Sequence, residues 1–392
     1  MLISIALILI LGMAAGWVCK KIKLPGLIGM LIVGIIIGPH LLNLIDQSIL
    51  DISASIRRIA LIIILIRAGL KLSASDLAKA GRPAILLCFV PACLEIIGML
   101  LLAPRLLGLS LLEAAILGSV IAAVSPAVIV PKMINLIDNK YGTNKGIPQM
   151  ILAGASVDDV FVIVLFYTFT GLASGKSVNI MSFVNIPISI LIGIAIGLLC
   201  GYLLHVFFKF FESGRTVKVL IIISVCFILV SAEDKYSSII PFSSLIAVMS
   251  LGLMLKKKNQ PLVDQLSSRF DRVWIPAEVF LFVLVGASVQ IESALSAGPA
   301  TIILLLGVML FRMLGVFICT LASSLNIKER CFCMLAYTPK ATVQAAIGAL
   351  PLQYGLSCGN TVLTVSVIAI LLTAPLGAFA IDLCYKKLLS KG

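Results

Sequence analysis

The sequence predicts an all-α polytopic membrane protein of about thirteen transmembrane helices, arranged as inverted repeats with two crossed broken helices. Three observations lead there. Of 392 residues, 61% are hydrophobic and only 12% charged, with a mean hydropathy of +1.18, whereas about a quarter of residues in soluble domains are charged. Apolar stretches long enough to span a bilayer follow one another from end to end. Two of them place a hydroxyl residue directly before a mid-span proline, at Ser125-Pro126 and Thr338-Pro339.

The apolar stretches fall at 2–18, 24–42, 55–70, 82–103, 111–131, 146–171, 185–208, 217–232, 239–255, 273–290, 299–322, 331–350 and 361–384. The first has no basic residues before it and is followed by Lys20, Lys21 and Lys23. That order is the reverse of a signal peptide, so the stretch reads as the first span. Alternate loops, beginning with 20–23 and ending with the tail from 386, hold 22 of the 30 Lys and Arg residues, and the opposite loops hold Arg105, Lys176 and Lys235. This asymmetry places the N-terminus outside and the C-terminus inside. The basic stretch 256–272 reads as a cytoplasmic connector. Of the remaining five basic residues, Arg57, Arg58 and Arg67 read as snorkelling to the interface, while Arg312 and Lys340 lie deep within their spans.

The +13 net charge resides in short loops, the pattern that sets topology, so nucleic acid is excluded as a partner and the lipid bilayer takes its place. The ten cysteines show no CxxC spacing and read as small packing residues. His40 and His205 lie near span ends and read as interfacial. With no Gly-rich phosphate loop, neither ATP nor any other cofactor is expected.

Each mid-span proline removes a backbone donor and disfavours helix at the residue before it, so the helices break at Pro126 and Pro339, with Pro131 a further interruption of the first. Paired breaks in two halves mark a transporter site. Glu95 precedes Pro126 by 31 residues and Arg312 precedes Pro339 by 27. The spans around the first break begin inside and those around the second begin outside, so the units are inverted. Pro126, Asp159, Glu95 and Arg312 lie roughly 20 Å into their spans, near the midplane.

The residues richest in chemistry are Ser156-Val157-Asp158-Asp159, two adjacent carboxylates in an apolar span. An ionised acid at bilayer depth costs roughly 2.5–3.5 kcal/mol on insertion scales and persists where it meets a cavity, a partner or a transported ion. Asp159 and Asp158 therefore read as the binding site of a transported Na+ and of a proton. Ser125 and Ser156 supply supporting oxygens of the hard-ion type. Protons and the metal ion compete for the same carboxylate oxygens, and competition at a site exposed alternately to each side is sufficient for exchange. Glu95 with Arg312 reads as a structural ion pair, with Asp158 an alternative partner for Arg312. Lys340 reads as compensating the facing C-terminal ends of half-helices. Glu278 reads as an interfacial acid.

These residues resemble the cation:proton antiporter superfamily, and within it the NHA-type sodium/proton antiporters with a paired-aspartate motif. The likeness rests on Ser156 to Asp159, Val124-Ser125-Pro126-Ala127-Val128-Ile129-Val130-Pro131, Phe311-Arg312-Met313-Leu314-Gly315, Thr338-Pro339-Lys340-Ala341-Thr342-Val343-Gln344-Ala345-Ala346-Ile347-Gly348, and Leu24 to Met30 with Gly38-Pro39. The resemblance implies a homodimer with an elevator mechanism. A mobile core domain of about 82–171 plus 299–385 would work against a scaffold and dimerisation domain of about 1–70 plus 185–290. It implies Asp159 as principal ion and proton carrier, Asp158 as its partner, and Arg312 and Lys340 as core charges. Where the best-known paired-aspartate exchangers carry a lysine, this chain has Arg312, which does not release a proton; the expected stoichiometry is one-for-one.

The expected activity is secondary exchange of Na+ or Li+ for H+, serving pH homeostasis in a prokaryotic inner membrane. The alternatives are a K+/H+ antiporter or a sodium-coupled organic-anion symporter. An intramembrane aspartyl protease would need its two aspartates on different helices, so an enzyme is not expected.

Overall fold

The computed structural model describes residues 1–22, 24–71, 74–174, 180–211, 213–236, 242–289, 298–321 and 323–391, with the side chains of 71, 74–80, 156, 160, 180–187 and 190 outside that description. Among the described residues the regular structure is helical, apart from one bridge pairing Tyr141 with Lys391. In chain order the helices are α1 (Leu2–Lys21), α2 (Gly26–Ile37), α3 (Gln47–Asp51), α4 (Ser53–Lys71), α5 (Ala74–Leu87), α6 (Val90–Leu107), α7 (Leu111–Ile121), α8 (Pro126–Asp138) and α9 (Ile147–Ala173). The series continues with α10 (Ile180–Phe210), α11 (Arg215–Tyr236), α12 (Ser244–Lys258), α13 (Gln260–Ala287), α14 (Gly298–Thr320), α15 (Ile327–Ala336), α16 (Thr342–Ile347), α17 (Leu350–Gln353) and α18 (Gly359–Leu388).

Among the described residues, eight helical segments are long and apolar enough to cross a membrane, so the chain is a multi-pass membrane protein. The thirteen expected spans include shorter pieces: α2 with 12 residues, α12 with 15, and the interrupted stretch from α15 to α16. Two expectations change. The stretch 256–272 is helix rather than loop, because α12 runs to Lys258 and α13 begins at Gln260. The span expected at 82–103 is divided between α5 and α6; α5 kinks at Gly81, and α6 starts at Val90 with Pro91 in its first turn, where a missing N–H is harmless.

The chain forms two compact units, one of Met1–Ala54, Asp76–Lys176 and Val279–Gly392, the other of Ser55–Ser75 and Ser177–Glu278. In the first unit, Gly34 and Gly38 of α2 lie so close to Val283 and Ala287 of α13 that a Cβ would strike their backbone. Helix packing in lipid rests on such close approach, since water release offers no drive there. A buried core of Leu87, Ile129, Met133, Ile151, Phe332 and Tyr337 lies between the two broken helices and α9.

Both first halves of the broken helices start in the same way. Before α7, the Ser110 hydroxyl accepts the Glu113 N–H at 3.3 Å and Glu113 Oε2 accepts the Ser110 N–H at 2.9 Å. Before α15, Asn326 Oδ1 accepts the Glu329 N–H at 2.9 Å and Glu329 Oε2 accepts the Asn326 N–H at 2.7 Å. Each reciprocal pair satisfies donors that a helix start leaves open. Glu329 also pairs with Lys145 at 2.8 Å.

In the second unit, Gly193, Gly197 and Gly201 of α10 press against Ser243, Ala247 and Leu251 at the start of and along α12. The small-residue spacings thus serve packing within the chain. Arg57 is buried rather than snorkelling, while Arg58 and Arg67 each meet an acid. Arg58 makes two 2.7 Å bonds to Asp234, and Arg67 bonds Asp271 at 2.5 Å and lies 5.3 Å from the Trp274 ring. Glu278 sits well inside α13, not near its start, because that helix begins thirteen residues earlier than the apolar stretch suggests.

Candidate functional site

α7 ends at Ile121 and its continuation α8 starts at Pro126; α15 ends at Ala336 and α16 starts at Thr342. Pro126 occupies the first position of α8, where its fixed φ favours a helix start. Pro339 lies in the second gap. Pro131 lies inside α8 and does not end it. The two gaps meet directly, since the Ser125 N–H donates to the Pro339 carbonyl at 2.7 Å.

A helix end leaves its last carbonyls without intrahelical partners, and at α7 side chains take them. Lys340 Nζ donates to the Ile121 carbonyl at 2.8 Å. Arg312 Nη1 donates to the Ala122 carbonyl. Gln344 Nε2 reaches the Val120, Ile121 and Ala123 carbonyls at 3.0, 3.2 and 3.0 Å. At the other gap, Arg312 Nε donates to the Tyr337 carbonyl at 2.7 Å. Each of these donors comes from outside the helix it caps.

The charges form one buried network. Arg312 pairs with both expected partners, Glu95 Oε2 at 2.9 Å and Asp158 Oδ2 at 2.8 Å. Lys340 Nζ lies 2.6 Å from Glu95 Oε1. Asp158 Oδ2 also accepts the Val124 N–H at 3.0 Å. Glu95, Asp158 and Arg312 have no exposed surface, and Lys340 has 1%. Burying such groups is tolerable because each charge faces an opposite charge at close range.

Asp159 differs. It is also buried, at 7% exposure, yet its Oδ1 has no hydrogen-bond partner among the described residues. Asp158 Oδ1, Ser125 Oγ, Thr342 Oγ1 and Gln344 Oε1 share that condition. Buried oxygens without donors are the ligand type of a hard cation rather than of an anion. The Ser156 side chain lies outside the described residues; its backbone is in α9, two residues before Asp158. The network holds three acids, Glu95, Asp158 and Asp159, against two bases, Arg312 and Lys340. With all five ionised, one positive charge is lacking.

Three contributors were not assigned from sequence. Gln344 caps α7, Thr373 Oγ1 accepts the Lys340 N–H at 3.0 Å, and Tyr337 packs 5.3 Å beneath the Arg312 guanidinium while its hydroxyl meets the Leu87 carbonyl at 3.4 Å. A glutamine within the apolar run 343–350 was the one available signal.

Helix breaks that meet around a buried charge network, in a chain of membrane-spanning helices, define an ion-coupled secondary transporter. Residues 4–384 match the family model described as sodium/hydrogen exchanger, transmembrane. The chain belongs to that family, and it is a cation/proton antiporter rather than an enzyme. It is similar to Homo sapiens sodium/hydrogen exchanger 9B2, 33% identical over 381 residues, covering 94% of this chain and 70% of the relative. Homo sapiens sodium/hydrogen exchanger 9B1 is 31% identical over 389 residues, covering 94% and 73%. In fold it is similar to the sodium proton antiporter MjNhaP1 of Methanocaldococcus jannaschii, with a TM-score of 0.86, 22% identity, and coverage of 98% and 97%.

Proposed function

We propose that the chain exchanges Na+ or Li+ for H+ across its membrane, with Asp159 as the residue that binds the cation and the proton in turn. The observation that carries this is the contrast within the acidic pair: Asp158 Oδ2 is held by Arg312 and the Val124 N–H, while no described residue bonds or pairs with the Asp159 carboxylate, whose Oδ1 is buried. Asp158 then shapes the site, and Ser125 and Ser156 supply further oxygens. The charge shortfall of one supports one-for-one exchange, because a single Na+ or a single proton neutralises the network. Arg312 stays charged at any working pH and releases no proton.

Alternating access is by an elevator motion of a core domain, 82–171 with 299–385, against a scaffold of 1–70 with 185–290, in a homodimer. The junction of the two breaks through Ser125 and Pro339 supports their moving as one body. The excess of Lys and Arg in alternate loops supports an outside N-terminus and an inside C-terminus. The membrane assigned is a prokaryotic inner membrane, where the exchanger serves pH homeostasis.

Proton movement in proteoliposomes with an imposed pH gradient tests the proposal, on addition of Na+, Li+, K+ or choline. Dissipation by Na+ and Li+, lost in Asp159→Asn, is the expected result. Dissipation by K+ as well would broaden the ion class. An unchanged rate in Asp159→Asn would remove that residue from the site.

A further inference from the structure

One peptide group joins two side chains that the sequence does not connect. Gln344 Nε2 donates to the Ala123 carbonyl oxygen at 3.0 Å, and the N–H of the same peptide unit, on Val124, donates to Asp158 Oδ2 at 3.0 Å. A donor on the carbonyl of an amide polarises it and strengthens the N–H on its other side, so bonds in such a chain reinforce one another. The peptide sits in the gap between α7 and α8, where no helical ladder holds it in place. Its orientation depends on these two contacts and on Arg312, which bonds the adjacent Ala122 carbonyl.

We infer that Gln344 is a positioning residue of the transport site, which fixes Asp158 through the Ala123–Val124 peptide and so sets how cation and proton compete at the acidic pair. The inference rests on the acidic pair being the transport site. Gln344 suits the task because its two amide hydrogens are shared among three carbonyls without adding charge. A lysine there would erase the shortfall of one positive charge, and a hydrophobic side chain would leave the carbonyls bare in a buried place. The charged and titratable groups around Asp158 are Arg312, Lys340 and Asp159, with the Tyr337 hydroxyl and the thiols of Cys88, Cys93 and Cys319. Each remains in place when Gln344 alone is changed.

The test compares the full-length wild type with Gln344→Met and Gln344→Glu in proteoliposomes, measuring transport rate against Na+ concentration and against pH. Met fills the same volume without a donor. A protonated Glu keeps one donor, so Gln344→Glu carries the test if Gln344→Met does not fold. In Gln344→Met, the half-saturating Na+ concentration rises about threefold to tenfold, the loss of one neutral hydrogen bond. The pH of half-maximal rate moves with it, and the rate at saturating Na+ stays within about twofold. Gln344→Glu falls between Gln344→Met and wild type, and approaches wild type as the pH is lowered. A fall in maximal rate with half-saturation and pH midpoint unchanged, in whichever variant folds, overturns the inference and leaves Gln344 a purely structural cap. Asp159→Asn in the same assay separates the two failures. If it transports like wild type the site itself is wrong, and if it is inactive while the Gln344 variants change only maximal rate, only the role of Gln344 is wrong.

Discussion

Ser125 and Pro339 tie the two helix breaks together by a single backbone hydrogen bond of 2.7 Å, so the crossing is a bonded junction as well as a steric one. The bond uses only the main chain of Ser125, whose hydroxyl oxygen is buried without a partner. Ser125→Ala therefore keeps the junction. Its stability stays within about 1 kcal/mol of wild type, since the lost hydroxyl makes no hydrogen bond, while the half-saturating Na+ concentration rises if that oxygen is a ligand as proposed. Thermal unfolding in detergent and a Na+ titration of transport check the two halves of this expectation.

Arg312 donates to Glu95, Asp158 and the carbonyls of Ala122 and Tyr337, all in a buried setting. Arg312→Met leaves Asp158 without its paired counter-charge and Glu95 with Lys340 alone, and is expected to cost about 3–5 kcal/mol. Arg312→Lys keeps the charge, but its compact ammonium does not span acceptors set out for a planar fork, so it should be intermediate. Denaturation midpoints of the three proteins rank them.

Gly154 of α9 faces Tyr337 so closely that a Cβ would overlap its hydroxyl, and it would also press on the Leu87 side chain. Gly154→Ala is expected to destabilise by about 1–3 kcal/mol, the usual cost of overpacking. Tyr337→Phe removes the nearest obstructing atom, so the double variant should lose less than the sum of the single ones. A double-mutant cycle on thermal stability measures that difference.

Asp46 caps the short helix α3. The Ser48 hydroxyl and N–H, at 2.5 and 3.0 Å, hold its carboxylate at a pKa of about 2, below the ordinary 3.8. A depressed carboxylate contributes stability above its unfolded value and loses it as the pH falls through the folded one. Amide protection over Gln47–Asp51 should accordingly decline between about pH 4 and pH 2 in the wild type, and be indifferent to pH there in Asp46→Asn. Hydrogen exchange read by mass spectrometry distinguishes these outcomes.

Much of the site was legible because lipid makes polarity expensive. An acid, a base or a proline inside an apolar run needs a reason, and Glu95, Asp158, Asp159, Arg312, Lys340, Pro126 and Pro339 each stood out on that ground. Gln344 did not, since an uncharged amide is cheap enough to pass as packing, and its three carbonyl partners are more than 220 residues away. The pairing of Arg58 with Asp234 and of Arg67 with Asp271 was hidden for a similar reason. Nothing local distinguishes an arginine that reaches the interface from one that meets an acid on another helix. The extent of α13 was missed because its first turns are polar. Hydropathy reports where a helix meets lipid, not where its hydrogen bonds begin.

The excess of one acid over the bases has a consequence for leakage. An unoccupied network would carry net negative charge, and taking a net charge through a medium of low dielectric carries a penalty of several kcal/mol even after relaxation. The occupied forms, with either a cation or a proton aboard, carry none. On the proposed exchange, crossing is rare for the empty carrier and easy for the loaded one, so each outward trip is matched by an inward trip with cargo. Under that proposal tight coupling needs no separate gate; it follows from burying three carboxylates with two cationic side chains.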